Sequence, residues 1–295
     1  MKFLDERKQR EVFRDRYLNT HETYLKSIAD VIAHLYEWRH GHSERCNSMI
    51  LRLIPTGMLQ KREDIDEEEP QFRNLRNCWY HECALTYPPG LPDERMLFAA
   101  WKIIQCYYAV FSSIASLVTC FKPKRKSHDA TLNIFAREFL CNSKRKQYFL
   151  PPANFYLDQQ GRFLEQFSKQ VNWAYADSYH IPNIVKCLED IRRENRMATI
   201  PHYLKELRDW VTYGDAYLFI RLYGDSPKTN LDFSLQAITF IYCIQTEFFL
   251  LRLFGWETLN RQYEYFLEQM NTNLGMTSEP LDARFEAYAW NKDHF

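Results

Sequence analysis

From Leu97 the apolar residues recur as Leu97, Trp101, Ile104, Tyr108, Phe111, Ala115 and Val118, a spacing that keeps them on one face of a long helix. Pro88, Pro89, Gly90 and Pro92 break the chain before it, and Asp93 and Glu94 supply the negative charge a helix N-terminus favours. Pro123 marks its end. The segment 231–254 is apolar on more than one side, as a helix buried all round would be, and it stops near Gly255. These two helices are expected to form the central pair of an all-α core. Further helices are expected at 4–18, 21–38, 43–54, 71–86, 129–141, 155–176, 183–196, 202–221 and 257–273. No alternating run competes as a strand, and the last 25 residues, from Asn271, read as irregular.

Composition agrees with a folded chain. Of 295 residues, 46% are hydrophobic and 26% charged, which excludes disorder as the dominant state. Eight Gly and twelve Pro are too few for a turn-dense sandwich or barrel. Neither Gly-rich phosphate-cradling motif is present, which removes dinucleotide folds and P-loops. Between 55 and 70 the chain turns polar and acidic and is bracketed by Pro55 and Pro70, the reading of a linker. The expected organisation is an N-terminal helical segment over 1–60, an acidic linker over 61–70, a bundle over 71–254 and a C-terminal helix and tail over 255–295.

The charges cancel, with 38 Lys+Arg against 38 Asp+Glu, so any preference for a charged partner must come from local clusters. Residues 63–69 hold six acids in seven positions, and residues 122–146 hold eight Lys/Arg against Asp129 and Glu138. The eight cysteines form no C-x-x-C pair and the N-terminus has no apolar secretion signal, so free thiols and a cytoplasmic location are expected. Cys78, His81 and Cys83 lie close in sequence, but no fourth ligand follows at a zinc spacing; neither metal nor cofactor is expected. Ile103–Phe121 is uncharged over 19 residues and precedes the basic run KPKRK. Gln105, Ser112, Ser113, Ser116 and Thr119 give it too many polar groups for hydrocarbon, and 233–246 is only 14 residues between charges, so no membrane span is expected.

Three pieces in order carry a family likeness. YYAVF at 107–111 resembles the signature second helix of HEPN domains, small helical bundles of prokaryotic toxin and defence proteins. SHDATLNIFAREF at 127–139 is similar to the Ser-His helix start of that family's prokaryotic branch. LRDWVTYGDAY at 207–217 resembles the branch's Leu-Arg-x-x-Ala-Asp-Tyr-Gly-Asp pattern, with Arg208, Tyr213, Gly214 and Asp215 in register but Val211 and Thr212 in place of Ala-Asp. The likeness spans about 71–254, with 155–176 and 183–196 as an inserted helical pair.

The resemblance implies a HEPN-like bundle, usually dimeric, that binds nucleotides or RNA and in many members cuts RNA without metal, using an Arg followed a turn or more later by His. An Arg can hold a phosphate bidentately and a His can move protons near neutral pH. At the family's position this chain has Arg208 but Tyr213, a poor base. With Asp215, these residues form the first candidate site, catalytic or a brace for phosphate and fold. Arg76 and His81 form the second, although they precede the YYAVF helix. His128 reads as a helix-start residue with Ser127 as its cap.

Lys122, Lys124, Arg125, Lys126, Lys144, Arg145 and Lys146, with Tyr148, Phe149 and Tyr156 nearby, form a candidate patch for single-stranded nucleic acid. Two functions follow: an RNA-binding or RNA-cleaving homo-oligomer of a defence or toxin-antitoxin type system, or a noncatalytic helical scaffold that binds a partner protein through 1–60.

Overall fold

The protein is mostly helical in a computed structural model, which describes residues 20–35, 69–86, 95–122, 127–142, 149, 151–164, 180–192, 197–213, 231–273 and 278–290. The helices expected at 4–18 and 43–54 and the linker at 61–68 lie outside them. In chain order the helices are α1 (residues 20–35), α2 (Pro70–Thr86), α3 (Arg95–Phe121), α4 (His128–Phe135), α5 (His180–Ile191), α6 (Ile200–Tyr213), α7 (Leu231–Phe254), α8 (Trp256–Asn273) and α9 (Glu279–Trp290). Helix α3 packs against α2, α7, α6 and α4. Helix α7 is buried along nearly its whole length, so the two expected central helices are central.

The expected core stripe of α3 needs correction. Trp101 is 48% exposed and Ile104, Tyr108 and Phe111 are half-buried, whereas Ile103, Cys106, Tyr107, Val110, Ile114 and Leu117 are buried. Both sets recur at helical spacing, and only their tail positions, Ala115 and Val118, share the core. By length and composition alone, Ala99–Phe121 and Leu231–Phe254 could cross a membrane, but 83% and 94% of their most apolar windows are buried inside the bundle. The second has the bounds expected of it, with Asp232, Glu247 and Arg252 inside one continuous helix.

Two elements differ from expectation. A helix was expected over 155–176, but the first part forms strands β1 (Tyr156–Leu157) and β2 (Phe163–Leu164), which with β3 (Ala198–Thr199) make an antiparallel sheet of order β2-β1-β3. The turn explains it. Asp158 accepts from the Arg162 amide at 2.8 Å and from its Nε at 2.7 Å, and Gly161 adopts φ +77, a conformation glycine allows cheaply. Strands of two residues are too short for alternation to show. The preceding loop is pinned to α7 by Tyr242, which donates to the Ala153 carbonyl at 3.2 Å. The second difference is α9, in the segment expected to be irregular: Leu281, Phe285 and Tyr288 are buried at helical spacing.

Helix α4 starts where Ser127 caps it, accepting from the Ala130 amide at 3.2 Å. It runs on as a π-helical turn, Ala136–Leu140. Gly255, at φ +82, is the only residue between α7 and α8, and its amide closes α7 onto the Leu251 carbonyl at 2.8 Å.

Helix α1 joins the same core rather than standing apart. Its Tyr24 hydroxyl donates to Asp190 Oδ2 at 2.5 Å, and its Ser27 Oγ lies 3.0 Å from Asn183 Nδ2. His21 stacks on Tyr203 with ring centroids 5.7 Å apart, and burial pulls its pKa down from 6.5 to about 4 despite Asp190. The folded state therefore holds this imidazole neutral while the unfolded chain takes up a proton below 6.5. Stability should fall as pH drops from about 6.5 to about 4, by up to about 3 kcal/mol from this group. Urea unfolding at pH 7 and pH 4 should show a smaller difference in His21→Phe than in the wild type; equal differences would exclude His21 as the source.

Candidate functional site

Helix α3 places Tyr107 and Tyr108 side by side beneath α6, and the start of α4 closes against them. The Arg208 guanidinium carbon lies 4.7 Å from the Tyr107 ring centroid and 5.5 Å from that of Tyr108, a cation–π arrangement. Arg208 Nη1 pairs with Asp209 Oδ1 at 2.8 Å. Its Nη2 is 3.5 Å from His128 Nδ1, and its buried Nε has no hydrogen-bond partner. Tyr107 Oη lies 2.7 Å from the same His128 Nδ1, and the His128 ring stacks on Phe111 with centroids 4.0 Å apart. Arg208 and Tyr107 are buried while His128 is half-buried, at the rim.

Lys205, one turn before Arg208, bridges Asp209 at 3.0 Å and Asp129 at 3.4 Å. Two cations and two carboxylates thus pair with one another beside the imidazole. Burial lowers the His128 pKa, and the positive charges of Arg208 and Lys205 lower it further, against Asp209 and Asp129. Burial raises the Tyr107 pKa, so its phenol keeps its proton.

Arg208 lies on a helix that faces the YYAVF segment, and the imidazole against its guanidinium is His128, from 80 positions earlier in the chain. Ser127 caps α4 as expected, and the residue it seats, His128, also meets Tyr107 and Arg208. Tyr213 is the last residue of α6, about 140° round the helix from Arg208, and Asp215 lies outside the described residues. Arg76 and His81 do not share a site. Arg76 hydrogen-bonds Gln262 and sits 4.8 Å over the Tyr265 ring of α8. His81 faces α3, with Nδ1 2.7 Å from Gln105 Oε1 and its ring stacked on Tyr108 at 5.3 Å. Five residues on one helix turn them about 140° apart.

Of the basic patch only Lys122 is among the described residues; it is exposed and pairs with Glu138 at 3.1 Å. Lys124, Arg125, Lys126, Lys144, Arg145, Lys146 and Tyr148 lie outside them. Phe149 and Tyr156 are in the core, at 1% and 7% exposure, so neither ring presents a face to a base. Among the described residues no group of three His, Cys, Asp or Glu is placed to hold a metal ion. Cys78 and Cys243 sit thiol to thiol at 3.1 Å, and burial pushes both pKa values up, which suppresses thiolate chemistry.

A second polar cluster is fully buried. Arg284 of α9 grips Glu82 of α2 through Nη1–Oε1 at 2.5 Å and Nη2–Oε2 at 2.7 Å, and reaches Glu247 of α7 from Nη2 at 2.9 Å and Nε at 3.1 Å. Trp79 and Tyr288 donate to Glu247 at 2.8 and 2.6 Å. Burial raises the Glu247 pKa, opposed by Arg284 and aided by Glu82. With every member closed off from solvent, this cluster ties three helices together.

Comparison with protein-family models, with curated proteins and with solved structures returns no match for this chain.

Proposed function

We propose that this is a HEPN-like RNA-binding protein of a prokaryotic defence or toxin-antitoxin type system, and that the Arg208–His128 pair cleaves RNA. The observation that carries the reading is the 3.5 Å approach of Arg208 to His128 across two helices, on the aromatic floor of Tyr107 and Tyr108. The likeness in sequence of three ordered segments supports it, because all three meet here: YYAVF gives the floor, SHDATLNIF the imidazole and LRDWVTYGD the guanidinium.

Arg208 would hold the phosphodiester and offset the charge that builds up as a 2′-hydroxyl attacks phosphorus. His128 would add its ring N–H as a second donor to the same phosphate. As the O2′–P bond forms the P–O5′ bond breaks, and solvent water takes the 2′-hydroxyl proton and supplies one to the departing 5′-oxygen, which leaves a 2′,3′-cyclic phosphate and a 5′-hydroxyl. A homodimer is the working form that the same likeness implies, and the cytoplasm is the location expected from its free thiols.

Incubation of purified protein with labelled single-stranded RNA, with and without EDTA, tests the reading. Cleavage that persists in EDTA and disappears in Arg208→Lys is expected, since an ammonium cannot reproduce the guanidinium fork. RNA left intact under all conditions, with a helical partner protein captured through the N-terminal segment, would instead favour the noncatalytic scaffold.

A further inference from the structure

We propose that Tyr107 is a positioning residue that fixes His128 as the neutral Nε2–H tautomer, so that His128 and Arg208 together present only hydrogen-bond donors to a phosphate oxygen. The inference rests on the functional reading above for its ligand, but its core is a matter of proton placement that can be tested without any cleavage.

Donors and acceptors around Nδ1 decide the tautomer. Arg208 Nη2 lies 3.5 Å from His128 Nδ1, and a guanidinium has donors and no acceptor. Nδ1 is therefore the acceptor in that contact and carries no proton of its own. The Tyr107 hydroxyl, 2.7 Å from the same atom, then donates to it as well. In a neutral imidazole the proton then sits on Nε2. Nε2 makes no hydrogen bond among the described residues and is not closed off from solvent, so the N–H points to the rim.

The surroundings support a neutral ring. The groups facing His128 are Arg208, Lys205 and Asp209 from α6, Asp129 from α4, and Tyr107 and Tyr108 from α3. Its pKa is lowered by burial and by the two cations. A proton on Nδ1 would face the Arg208 Nη2–H donor to donor and would end the donation from the Tyr107 hydroxyl. Protonation of His128 and loss of both contacts at Nδ1 are therefore one event. A donor-only face of Nε2–H beside a guanidinium suits a phosphate oxygen and disfavours a metal cation, which needs an imidazole lone pair.

Nitrogen NMR of histidine-labelled protein near neutral pH reads the tautomer directly, with His128→Gln assigning the signals. The expected result is an unprotonated Nδ1 and a protonated Nε2 in the wild type, with Nε2 shifted by added inorganic phosphate. In Tyr107→Phe, which keeps the ring, both tautomers should appear and the His128 titration should move up toward the ordinary histidine range. A wild-type Nδ1–H tautomer, no response to phosphate, or an unchanged tautomer and titration in Tyr107→Phe would each overturn the proposal. The Nε2–H tautomer with a phosphate response but no RNA cleavage would sink the proposed ribonuclease activity alone.

Discussion

Replacing Arg284 by Met is expected to destabilise the protein by about 3 to 5 kcal/mol, the range for removing one partner of a buried ion pair. The substitution leaves Glu82 and Glu247 facing each other, at 4% and 0% exposure, with no cation between them. Neither carboxylate can reach water without opening the interface of α2, α7 and α9, so at least one must take up a proton to fold. The loss should therefore shrink as pH falls, because protonation then costs less. Adding Glu82→Leu and Glu247→Gln to Arg284→Met should recover most of the loss, since the apolar replacement removes the stranded charge and the amide can accept from Trp79 through its oxygen while donating its N–H to the Tyr288 hydroxyl oxygen. Urea unfolding of the three proteins decides the matter; a loss under about 1 kcal/mol for Arg284→Met would mean the cluster admits water.

The second large effect is on chemistry. His128→Ala should slow single-turnover RNA cleavage by about 10²- to 10³-fold, the usual cost of removing one donor to the developing negative charge. Arg208→Ala should slow it by about 10²- to 10³-fold through loss of charge stabilisation. Because both act on the same phosphate, the double variant should be far less impaired than the product of the two factors. His128 is half-buried at the first turn of α4, so its removal should barely move the melting temperature. A His128→Ala protein that cuts at the wild-type rate would show that the imidazole only packs on Phe111. Cleavage lost together with cooperative unfolding would make it a residue of the fold.

What could be read from the residues alone followed from local rules. Helix α7 is apolar on every side, so its central place was legible. In α3 two apolar stripes compete, one through Trp101 and Tyr108, the other through Ile103, Cys106 and Tyr107. Periodicity alone cannot say which stripe meets α7 and which meets the rim of the site. Helix α9 was missed because its inward residues Leu281, Phe285 and Tyr288 are interleaved with Asp282, Arg284 and Glu286, and only a partner such as Glu247 makes an inward arginine tolerable. Arg208 was singled out by its place in LRDWVTYGDAY. Its pairing with His128 was not, because a spacing rule within one helix searches five positions on and finds Tyr213. The serine cap at 127 was the available signal, since a histidine fixed at a capped helix start has a defined direction.

The buried arginine also sets an order of events at the ribosome. Glu82 and Glu247 are both synthesised before Arg284, so a nascent chain that already carries α2 and α7 holds two carboxylates destined for one dry pocket and no counter-ion for either. Closing that pocket early is opposed by their desolvation. The three-helix junction is expected to stay open until the segment around Arg284 has emerged, and a chain cut short before it would be left as a substrate for chaperones and proteases.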